Sequence, residues 1–522
     1  MYKKITSLLL AVLMITVATQ GFFLYQTFRK TQTQNTKHAK NAHALQSISK
    51  QLEKLENNVD KVQKQLTQEE VKLSTETISL GVQENAHKAS VKINVTAPVT
   101  PYQNYTNWFG SGVVFNKKKG YVFTNSHVVN LLIAGKCEVQ FFEGTITYAK
   151  VIYVDPWLDI TVVQVNPTEI PQQATEAKLS EKAPKVNDAI FIVNNSEGNS
   201  NAIHTGRINN LEEITMATGS YQNLPQGDIT YSSNTIGGSS GSAVYDTEGK
   251  IVSLNHAMSR TYGLGCDLTY LRYIKDAVEK GKQPVRKHMG AILSLLPLAD
   301  ANLSKKEIAA LKKQLPANTK YLMRVNGMIK GTPAEKILKP GDIIYAAQGK
   351  TLGGNLATLD ILMSKAPQSH ITLDIYRQGK MTQVKVPLYD MHKHAIKKLV
   401  YFGGAYWFEA DDCWAYNVAM KPRSVTFYKI EQGKSFSTSK YFRPRRFHST
   451  VTHLNGKPIK SLDELIGLIP TLIKKGKLNI EFLKLTQQPD SSDIEYNPND
   501  PAPTVFTYNP KTLAWDIEKI KL

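Results

Sequence analysis

The chain has 522 residues, of which 41% are hydrophobic and 21% are charged. This length predicts about three or four domains, and the composition excludes both a disordered chain and a polytopic membrane protein. Lysine and arginine number 64 against 44 aspartate and glutamate residues, a net charge of +20. Because the lysines are scattered and no nucleic-acid-binding motif is present, we expect a solvated basic surface and no nucleic-acid partner.

An uncharged stretch of 24 residues, 5–28, lies between two pairs of basic residues near the N-terminus. A helix of that length spans the hydrocarbon core of a bilayer, so residues 1–30 are predicted to be a single-pass membrane anchor. The alternative is a cleaved signal peptide, for which Thr16 and Ala18 supply only a poor cleavage site. The large body after this segment is expected on the exported side of an inner membrane, which in a bacterium is the periplasm.

Residues 31–76 carry a heptad pattern without glycine or proline. Its apolar positions are Leu45, Ile48, Leu52, Leu55, Val59, Val62, Leu66 and Leu73. Such a stripe is buried only against partner helices, so we predict a coiled-coil stalk and a homo-oligomer. The alternative is a single amphipathic helix that lies on the protein's own body or on lipid.

From about residue 80 the sequence consists of short strands rich in Val, Ile, Tyr and Phe, separated by Gly and Asn turns, which is typical of an all-β barrel. His127 ends one strand, Asp159 precedes another, and Ser240 lies in a glycine-rich turn. A serine hydroxyl becomes nucleophilic when an imidazole accepts its proton and a carboxylate orients that imidazole. The backbone N–H groups of Gly238 and Ser240 are predicted to form the oxyanion hole. The order His, Asp, Ser in an all-β region is that of a chymotrypsin-like double barrel.

Longer patterns surround the three residues. Residues 124–129 read Thr-Asn-Ser-His-Val-Val, residues 155–162 contain Asp-x-x-x-Asp-Ile-Thr-Val, and residues 238–242 read Gly-Ser-Ser-Gly-Ser. These segments resemble the T-N-x-H-V-V, D-x-x-x-D-(I/L)-A-V and G-N-S-G-G blocks of the HtrA/Deg family of exported or membrane-anchored serine proteases. The resemblance implies a protease domain over residues 77–275, cleavage of unfolded or damaged polypeptides, a homotrimer, and no metal or other cofactor.

A second region, residues 286–391, contains Gly-Thr-Pro-Ala-Glu at 331–335 and Leu-Lys-Pro-Gly-Asp-Ile-Ile at 338–344. This series resembles the α+β PDZ domains that follow HtrA proteases. The resemblance implies that a peptide C-terminus adds as a strand to an open sheet edge. Backbone N–H groups at three residues would hold its carboxylate, namely Met289, Gly290 and Ala291. A capping box from Ser304 to Glu307 predicts an inserted helix.

Residues 392–486 resemble a second, divergent PDZ domain, in which a helix begins at Ser461. The remaining residues, 487–522, are predicted to be an irregular extension that docks by Tyr508 and Trp515. A basic run at residues 443–446 is either a solvated loop or a contact with acidic lipid or substrate.

The chain has three cysteines, Cys137, Cys266 and Cys413, with no CxxC pair that would indicate zinc. Cys137 and Cys266 either form a disulfide in an exported compartment or are buried free thiols. In both cases Cys413 is unpaired.

Two alternatives to a general protease remain open from the sequence. The first is a proteolytically silent chaperone or scaffold that holds peptides in its PDZ grooves. The second is a signalling protease with one membrane-protein substrate. The presence of all three triad residues favours an active enzyme over the silent scaffold.

Overall fold

The structure is a computed structural model that describes residue 50 and residues 78–97, 106–129, 131–195, 202–216, 225–233, 235–259, 261–301, 303–317, 319–417, 420–428, 430–439, 449–484 and 488–521. The chain divides into two units, Met1–Thr77 and Ile78–Leu522. The predicted membrane anchor, and the predicted stalk except for helical Lys50, fall outside the described residues. Within the described part, no helix is both long enough and apolar enough to cross a bilayer.

The second unit begins with a helix and a closed six-stranded barrel. The elements are α1 (Leu80–Ala89), β1 (Ser90–Thr96), β2 (Asn107–Asn116), β3 (Tyr121–Thr124), α2 (Ser126–Val129), β4 (Lys136–Gln140), β5 (Ile146–Val154) and β6 (Thr161–Val165). The barrel order is β1-β2-β3-β6-β5-β4. Its interior is filled by β-branched side chains that are fully buried, such as Val91, Ile93, Val122 and Val163.

A second antiparallel barrel follows. Its strands are β7 (Ala189–Asn194), β8 (Ala202–Met216), β9 (Pro225–Tyr231), β10 (Ala243–Asp246), β11 (Ile251–Met258) and β12 (Gly263–Asp267). They close in the order β10-β11-β12-β9-β8-β7. The Asp267 side chain caps the following helix, α3 (Leu268–Val278), by accepting the Thr269 N–H. The predicted chymotrypsin-like double barrel is confirmed.

The PDZ region forms one main antiparallel sheet with helices at its side. Its elements are β13 (Lys287–His288), β14 (Ala291–Pro297), α4 (Lys305–Lys312), β15 (Tyr321–Met328), β16 (Ile343–Ala347), β17 (Lys350–Thr351), α5 (Leu356–Lys365), β18 (His370–Arg377), β19 (Lys380–Pro387) and β20 (Tyr389–Asp390). The sheet order is β14-β15-β16-β18-β19, β17 pairs with β16, and β13 pairs with β20. Helix α4 begins with the predicted capping box, in which Ser304 and Glu307 bond reciprocally.

The C-terminal region contains two further sheets. Its elements are β21 (Lys398–Phe402), β22 (Ala405–Glu409), α6 (Asp412–Asn417), β23 (Val425–Tyr428), β24 (Thr450–Leu454), β25 (Lys457–Pro458), α7 (Leu462–Lys475), β26 (Lys477–Leu483), β27 (Pro489–Glu495), β28 (Thr504–Asn509) and β29 (Ala514–Lys519). The sheet orders are β23-β22-β21-β28-β29 and β25-β24-β26-β27. Strands β22–β27 and helix α7 occur along the chain in the same order as strands β14–β19 and helix α5. In the C-terminal region, however, these strands belong to two separate sheets.

The interpretation of residues 487–522 as an irregular extension is wrong. Strand β27 pairs along its whole length with β26, and β28 lies between β21 and β29. The predicted docking residues do make contacts, because Tyr508 donates its N–H to the carbonyl of Lys397 and Trp515 bonds to Leu131. The tail is therefore an integral part of the C-terminal sheets.

All three cysteines are buried and none is in a disulfide, so the possible bridge between Cys137 and Cys266 is not formed. Cys137 lies in the core of the first barrel and Cys266 in a different apolar cluster. Burial raises the pKa of the Cys137 thiol to about 12, so it is an inert core residue at neutral pH. Among the described residues, no group of three or more His, Cys, Asp or Glu side chains is arranged to hold a metal ion.

Candidate active site

Asp159 holds His127 at two points. One carboxylate oxygen lies 2.5 Å from the ring nitrogen Nδ1 of His127, and the other accepts the main-chain N–H of His127 at 2.8 Å. The side chain of Asp159 is buried, whereas that of His127 is 24% exposed. This contact fixes the ring orientation and keeps a proton on Nδ1, so Nε2 is the nitrogen that accepts a proton from outside.

Buried polar side chains join the histidine segment to the aspartate segment. Asn125 Nδ2 donates to the main-chain carbonyl of Asp159 at 2.7 Å, and Ser126 Oγ donates to the carbonyl of Ile160 at 3.0 Å. Both side chains are fully buried. The Asn-Ser pair that precedes His127 therefore sets the distance between the two segments.

The pKa of the Asp159 carboxyl lies below its ordinary value. Burial by itself raises this pKa, but the charge of His127, the hydrogen bonds from its ring and main chain, and the charge of His256 outweigh burial. Asp159 is therefore ionised at neutral pH. An ionised carboxylate at this position stabilises the imidazolium that forms when His127 accepts a proton.

The glycine-rich turn contains three serines with different surroundings. Ser239 Oγ accepts the N–H of Ile236 at 3.1 Å, and Ser242 Oγ donates to the carbonyl of Ser239 at 2.5 Å. Both side chains are buried. Ser240 is half-buried, and its hydroxyl bonds to no residue in the described part of the chain. Of the three hydroxyls, that of Ser240 is the one in position to meet a substrate.

Gly238 gives the turn its shape. Its φ is +96°, and a Cβ at this position would lie 2.4 Å from the carbonyl oxygen of Asn195 and 2.6 Å from the ring of Phe109. Both the left-handed backbone and the lack of space require glycine here. The N–H groups of Gly238 and Ser240 donate to no described residue, so both are available to an oxyanion.

The turn that carries Ser240 lies beside the histidine segment. The carbonyl of Ser240 accepts the N–H of Ser111 at 2.7 Å. A Cβ on Gly110 would lie 3.1 Å from that carbonyl oxygen and 2.6 Å from the side chain of Val128, the residue after His127. Within the described residues Ser240 Oγ makes no hydrogen bond to His127. Such catalytic bonds are often long in the absence of substrate and tighten when substrate binds.

Asp155, in the same sequence block as Asp159, has a structural role. Its Oδ1 accepts the N–H of Trp157 at 2.9 Å, and its Oδ2 accepts the Tyr153 hydroxyl at 2.7 Å. Oδ2 also lies 3.1 Å from Nε of buried Arg286. These contacts hold the turn between β5 and β6 in place.

Three buried polar residues behind Asp159 were missed from the sequence: Gln226, Asp228 and His256. Gln226 Oε1 accepts the main-chain N–H of Asp159 at 3.1 Å, and Asp228 lies 3.0 Å from His256. A signal was present, because Asp228 and His256 interrupt the apolar residues of short strands. A charged residue inside a barrel needs a buried partner.

The predicted carboxylate loop of the PDZ region, Met289, Gly290 and Ala291, is buried. The N–H of Gly290 donates to Nδ1 of His288 at 3.0 Å. Burial and the charge of Arg286 lower the pKa of His288 to about 3, so its ring is neutral and can accept this bond. The role of the loop in peptide binding stays a prediction, and in this structure His288 engages one of its three N–H groups.

Two segments of the chain match known protein families. Residues 110–254 match the trypsin-like peptidase domain, and residues 314–388 match the PDZ domain. The first match contains His127, Asp159 and Ser240. The two domains occur in the order that the sequence patterns predict.

Curated relatives match parts of the chain. An uncharacterised protein of Rickettsia prowazekii is 28% identical over 191 residues, which cover 33% of this chain and 98% of that protein. A probable periplasmic serine protease do/HhoA-like of Haemophilus influenzae is 28% identical over 53% of this chain and 58% of its own length. The periplasmic serine endoprotease DegP of Escherichia coli is 24% identical over 56% of this chain and 60% of its own length. The chain thus spans about three-fifths of the two proteases. Among solved structures, the HtrA-type protease AlgW with tripeptide aligns with a TM-score of 0.44 and 18% identity, over 59% of this chain and 97% of that one.

Proposed function

We propose that this chain, which belongs to the HtrA family of serine proteases, is a serine endopeptidase with Ser240 as its nucleophile. The observation that carries the proposal is the two-point contact between Asp159 and His127, beside a turn in which the hydroxyl of half-buried Ser240 bonds to no described residue. A purely structural histidine needs neither an ionised buried partner nor an adjacent serine hydroxyl left available to a substrate.

In the acylation step, His127 Nε2 accepts the Ser240 hydroxyl proton while Oγ attacks the scissile carbonyl carbon. The carbonyl oxygen then carries negative charge, which the N–H groups of Gly238 and Ser240 are placed to stabilise. The imidazolium of His127, held by Asp159, donates its proton to the leaving amine, and the C–N bond breaks.

In the deacylation step, a water molecule attacks the acyl ester. His127 accepts a proton from that water and later returns it to Ser240, which restores the starting state. Asp159 remains ionised throughout. Its function is to orient the ring and to balance the imidazolium charge.

The substrates that we propose are unfolded or damaged polypeptides in an exported compartment. The names of the Haemophilus influenzae and Escherichia coli relatives describe periplasmic serine proteases, which supports an exported catalytic body. The uncharged stretch at residues 5–28 supports attachment to the inner membrane, and the heptad pattern at residues 31–76 supports a homo-oligomer. We propose a homotrimer because the resemblance to HtrA proteases implies one.

The PDZ region is proposed to bind peptide C-termini for substrate delivery or activation. Strand β14 is the last strand of the main PDZ sheet, which supports the addition of a peptide beside it as a further strand. The carboxylate would lie at residues 289–291. Because the N–H of Gly290 bonds to His288, a peptide that uses this donor has to displace the imidazole.

The test of function is cleavage of an unfolded protein by the full-length chain. The wild type is expected to cleave it, and Ser240→Ala is expected to be inactive while it retains the wild-type melting temperature. Ser239→Ala and Ser242→Ala are matched controls in the same turn and should retain the chemistry. Cleavage by Ser240→Ala at the wild-type rate would show that the nucleophile is a different residue. No cleavage by any form, with and without peptides that end in apolar residues, would favour the silent peptide-holding scaffold.

A further inference from the structure

An exposed phenylalanine lies against the glycine of the proposed oxyanion hole. Phe109 is 37% exposed, and a Cβ on Gly238 would lie 2.6 Å from its ring atom Cε2. A single exposed apolar side chain is common on protein surfaces. The position of this one, beside a group that is proposed to hold the reacting carbonyl oxygen, is what points to a substrate.

Strand β2 directs Phe109 and its neighbour Trp108 to opposite sides, because successive side chains of a strand alternate. The indole N–H of Trp108 donates to the carbonyl of Val128 at 2.6 Å, which attaches β2 to the residue after His127. The ring of Phe109 lies instead on the turn that contains Gly238. The end of β2 therefore contacts both the histidine segment and the nucleophile turn.

Two further residues of β2 fill the space between these segments. A Cβ on Gly110 would lie 2.6 Å from the side chain of Val128 and 3.1 Å from the carbonyl oxygen of Ser240. Ser111 donates its N–H to that same carbonyl at 2.7 Å. In the proposed mechanism the leaving amine takes its proton from His127, so the leaving group passes between the histidine segment and Ser240. That path runs beside the end of β2.

A lysine lies over the ring of Phe109. Lys92 on β1 is paired with Ser111, so Phe109 is its diagonal neighbour on the same face of the sheet. The Nζ atom of Lys92 is 4.6 Å from the ring centroid, which is a cation–π distance. Lys92 is half-buried and forms no salt bridge with any residue that the structure describes. Its positive charge is therefore available to a bound polypeptide.

We propose that Phe109 and Lys92 form a specificity subsite for the substrate residue that follows the scissile bond. The exposed part of the ring contacts a large apolar side chain, such as leucine. The positive charge of Lys92 disfavours lysine or arginine at this position and favours glutamate over them. This inference rests on the proposed protease function and adds a substrate preference to it.

The test compares peptides that differ at one position. The full-length wild type first cleaves an unfolded protein, and mass spectrometry locates a cleavage site. A peptide with that site is then made with leucine, alanine, glutamate or lysine as the first residue after the cut. We expect kcat/KM for the leucine peptide to exceed that for the alanine peptide by about tenfold, and the lysine peptide to be the poorest of the four.

Phe109→Ala tests the apolar contact. It should lower kcat/KM for the leucine peptide by about tenfold and change that for the alanine peptide by less than about twofold. Tyr148→Ala is the matched control, because Tyr148 is an exposed ring of the first barrel with Lys136 Nζ 5.7 Å from its centroid. This control should leave all four values unchanged. An equal loss for all four peptides in Phe109→Ala would show that the ring only supports the turn at Gly238, and would overturn the subsite.

Lys92→Glu tests the charge. It should reverse the preference for the glutamate peptide over the lysine peptide and keep the preference for leucine over alanine, because the ring remains. An unchanged ratio of the two charged peptides would overturn the role of Lys92.

Two further outcomes separate the subsite from the protease function. Cleavage by the wild type without any preference at this position, or with a preference that Phe109→Ala does not change, would overturn the subsite and leave the protease function intact. No cleavage of the unfolded protein by the wild type would contradict the protease function and the subsite with it.

Discussion

The indole N–H of Trp515 donates to the main-chain carbonyl of Leu131 at 2.8 Å and so joins two residues that lie 384 positions apart. Leu131 is four residues after His127. On the other side, the indole N–H of Trp108 donates to the carbonyl of Val128 at 2.6 Å. The segment after His127 is therefore held by one tryptophan from the first barrel and one from the C-terminal hairpin.

Replacement of Trp515 by Phe should weaken this attachment while it keeps most of the apolar contact. Loss of the hydrogen bond is expected to lower the free energy of unfolding by about 1 kcal/mol and to reduce kcat. Denaturant unfolding and steady-state kinetics measure the two effects. Trp407→Phe is the control, because Trp407 makes a similar bond to Phe402 at 3.2 Å within the C-terminal sheets. A variant Trp515→Phe with wild-type kcat would show that the hairpin does not hold the histidine segment.

Substitution of Asp159 should mainly reduce activity, whereas substitution of Asp155 should mainly reduce stability. Asp159→Asn keeps the side-chain shape but no longer stabilises the imidazolium, so kcat should fall by about 10⁴ with little change in melting temperature. Asp155→Asn removes the carboxylate that lies 3.1 Å from Nε of buried Arg286 and should destabilise the protein by about 3–5 kcal/mol. Paired measurements of kcat and thermal unfolding on both variants check this contrast. Equal losses of activity and stability in the two variants would contradict the assigned roles.

Gly238→Ala should displace the main-chain N–H of residue 238, which is one of the two proposed oxyanion donors. The new Cβ would collide with the carbonyl of Asn195, and a positive φ is costly for alanine, so the N–H of residue 238 must move. We expect kcat to fall by about 100- to 1,000-fold, the usual cost of one lost donor. Gly237→Ala is a close control, because nothing lies within 4 Å of a Cβ there. If both variants retain wild-type kcat, Gly238 has no part in the oxyanion hole.

Ionisation of the Asp360 carboxyl should make the free energy of unfolding depend on pH. It accepts the Tyr270 hydroxyl at 2.6 Å, and burial raises its pKa to about 6, an effect that the charge of Arg286 only partly offsets. The carboxyl of an unfolded chain has a pKa near 3.9, so the folded protein keeps a proton that the unfolded chain has already released. The stability from this group is complete below about pH 4 and is lost as the pH rises to about 6.

Asp360→Asn removes this titration. The difference in melting temperature between pH 4.5 and pH 7.5 should be smaller in the variant than in the wild type. Asp374→Asn, which affects a surface hydrogen bond to Gln383, is the control. The same pH dependence in Asp360→Asn and in the wild type would show that Asp360 is not the group responsible.

The sequence predicted the first barrel, and it singled out His127 and Asp159, which the structure brings into contact, because both inferences depend on local patterns. His127 follows the short apolar strand β3, and Asp159 precedes the short apolar strand β6. The sequence pattern selected Ser240, but the surroundings of the three serines required the structure. It shows that the hydroxyls of Ser239 and Ser242 are engaged in hydrogen bonds within the turn.

Other features depend on contacts between distant segments. Strands β28 and β29 were read as irregular because proline and asparagine precede them, and the sheet that they join begins at residue 398. Gln226 and His256 were missed for a related reason, because they meet across the intervening strand β12. A local sequence pattern predicts the strand to which a residue belongs. It does not predict which residues of other strands that residue contacts, because those contacts depend on the tertiary fold.

The central claim is that Ser240 is the nucleophile and is activated by His127. The most direct test is to label the full-length wild type with a fluorophosphonate, which phosphonylates an activated serine, and to locate the label by mass spectrometry. We expect a label on Ser240 that persists in Ser239→Ala and Ser242→Ala and is lost in Ser240→Ala and His127→Ala. A label on another residue, or labelling of Ser240 at the wild-type rate in His127→Ala, would contradict it.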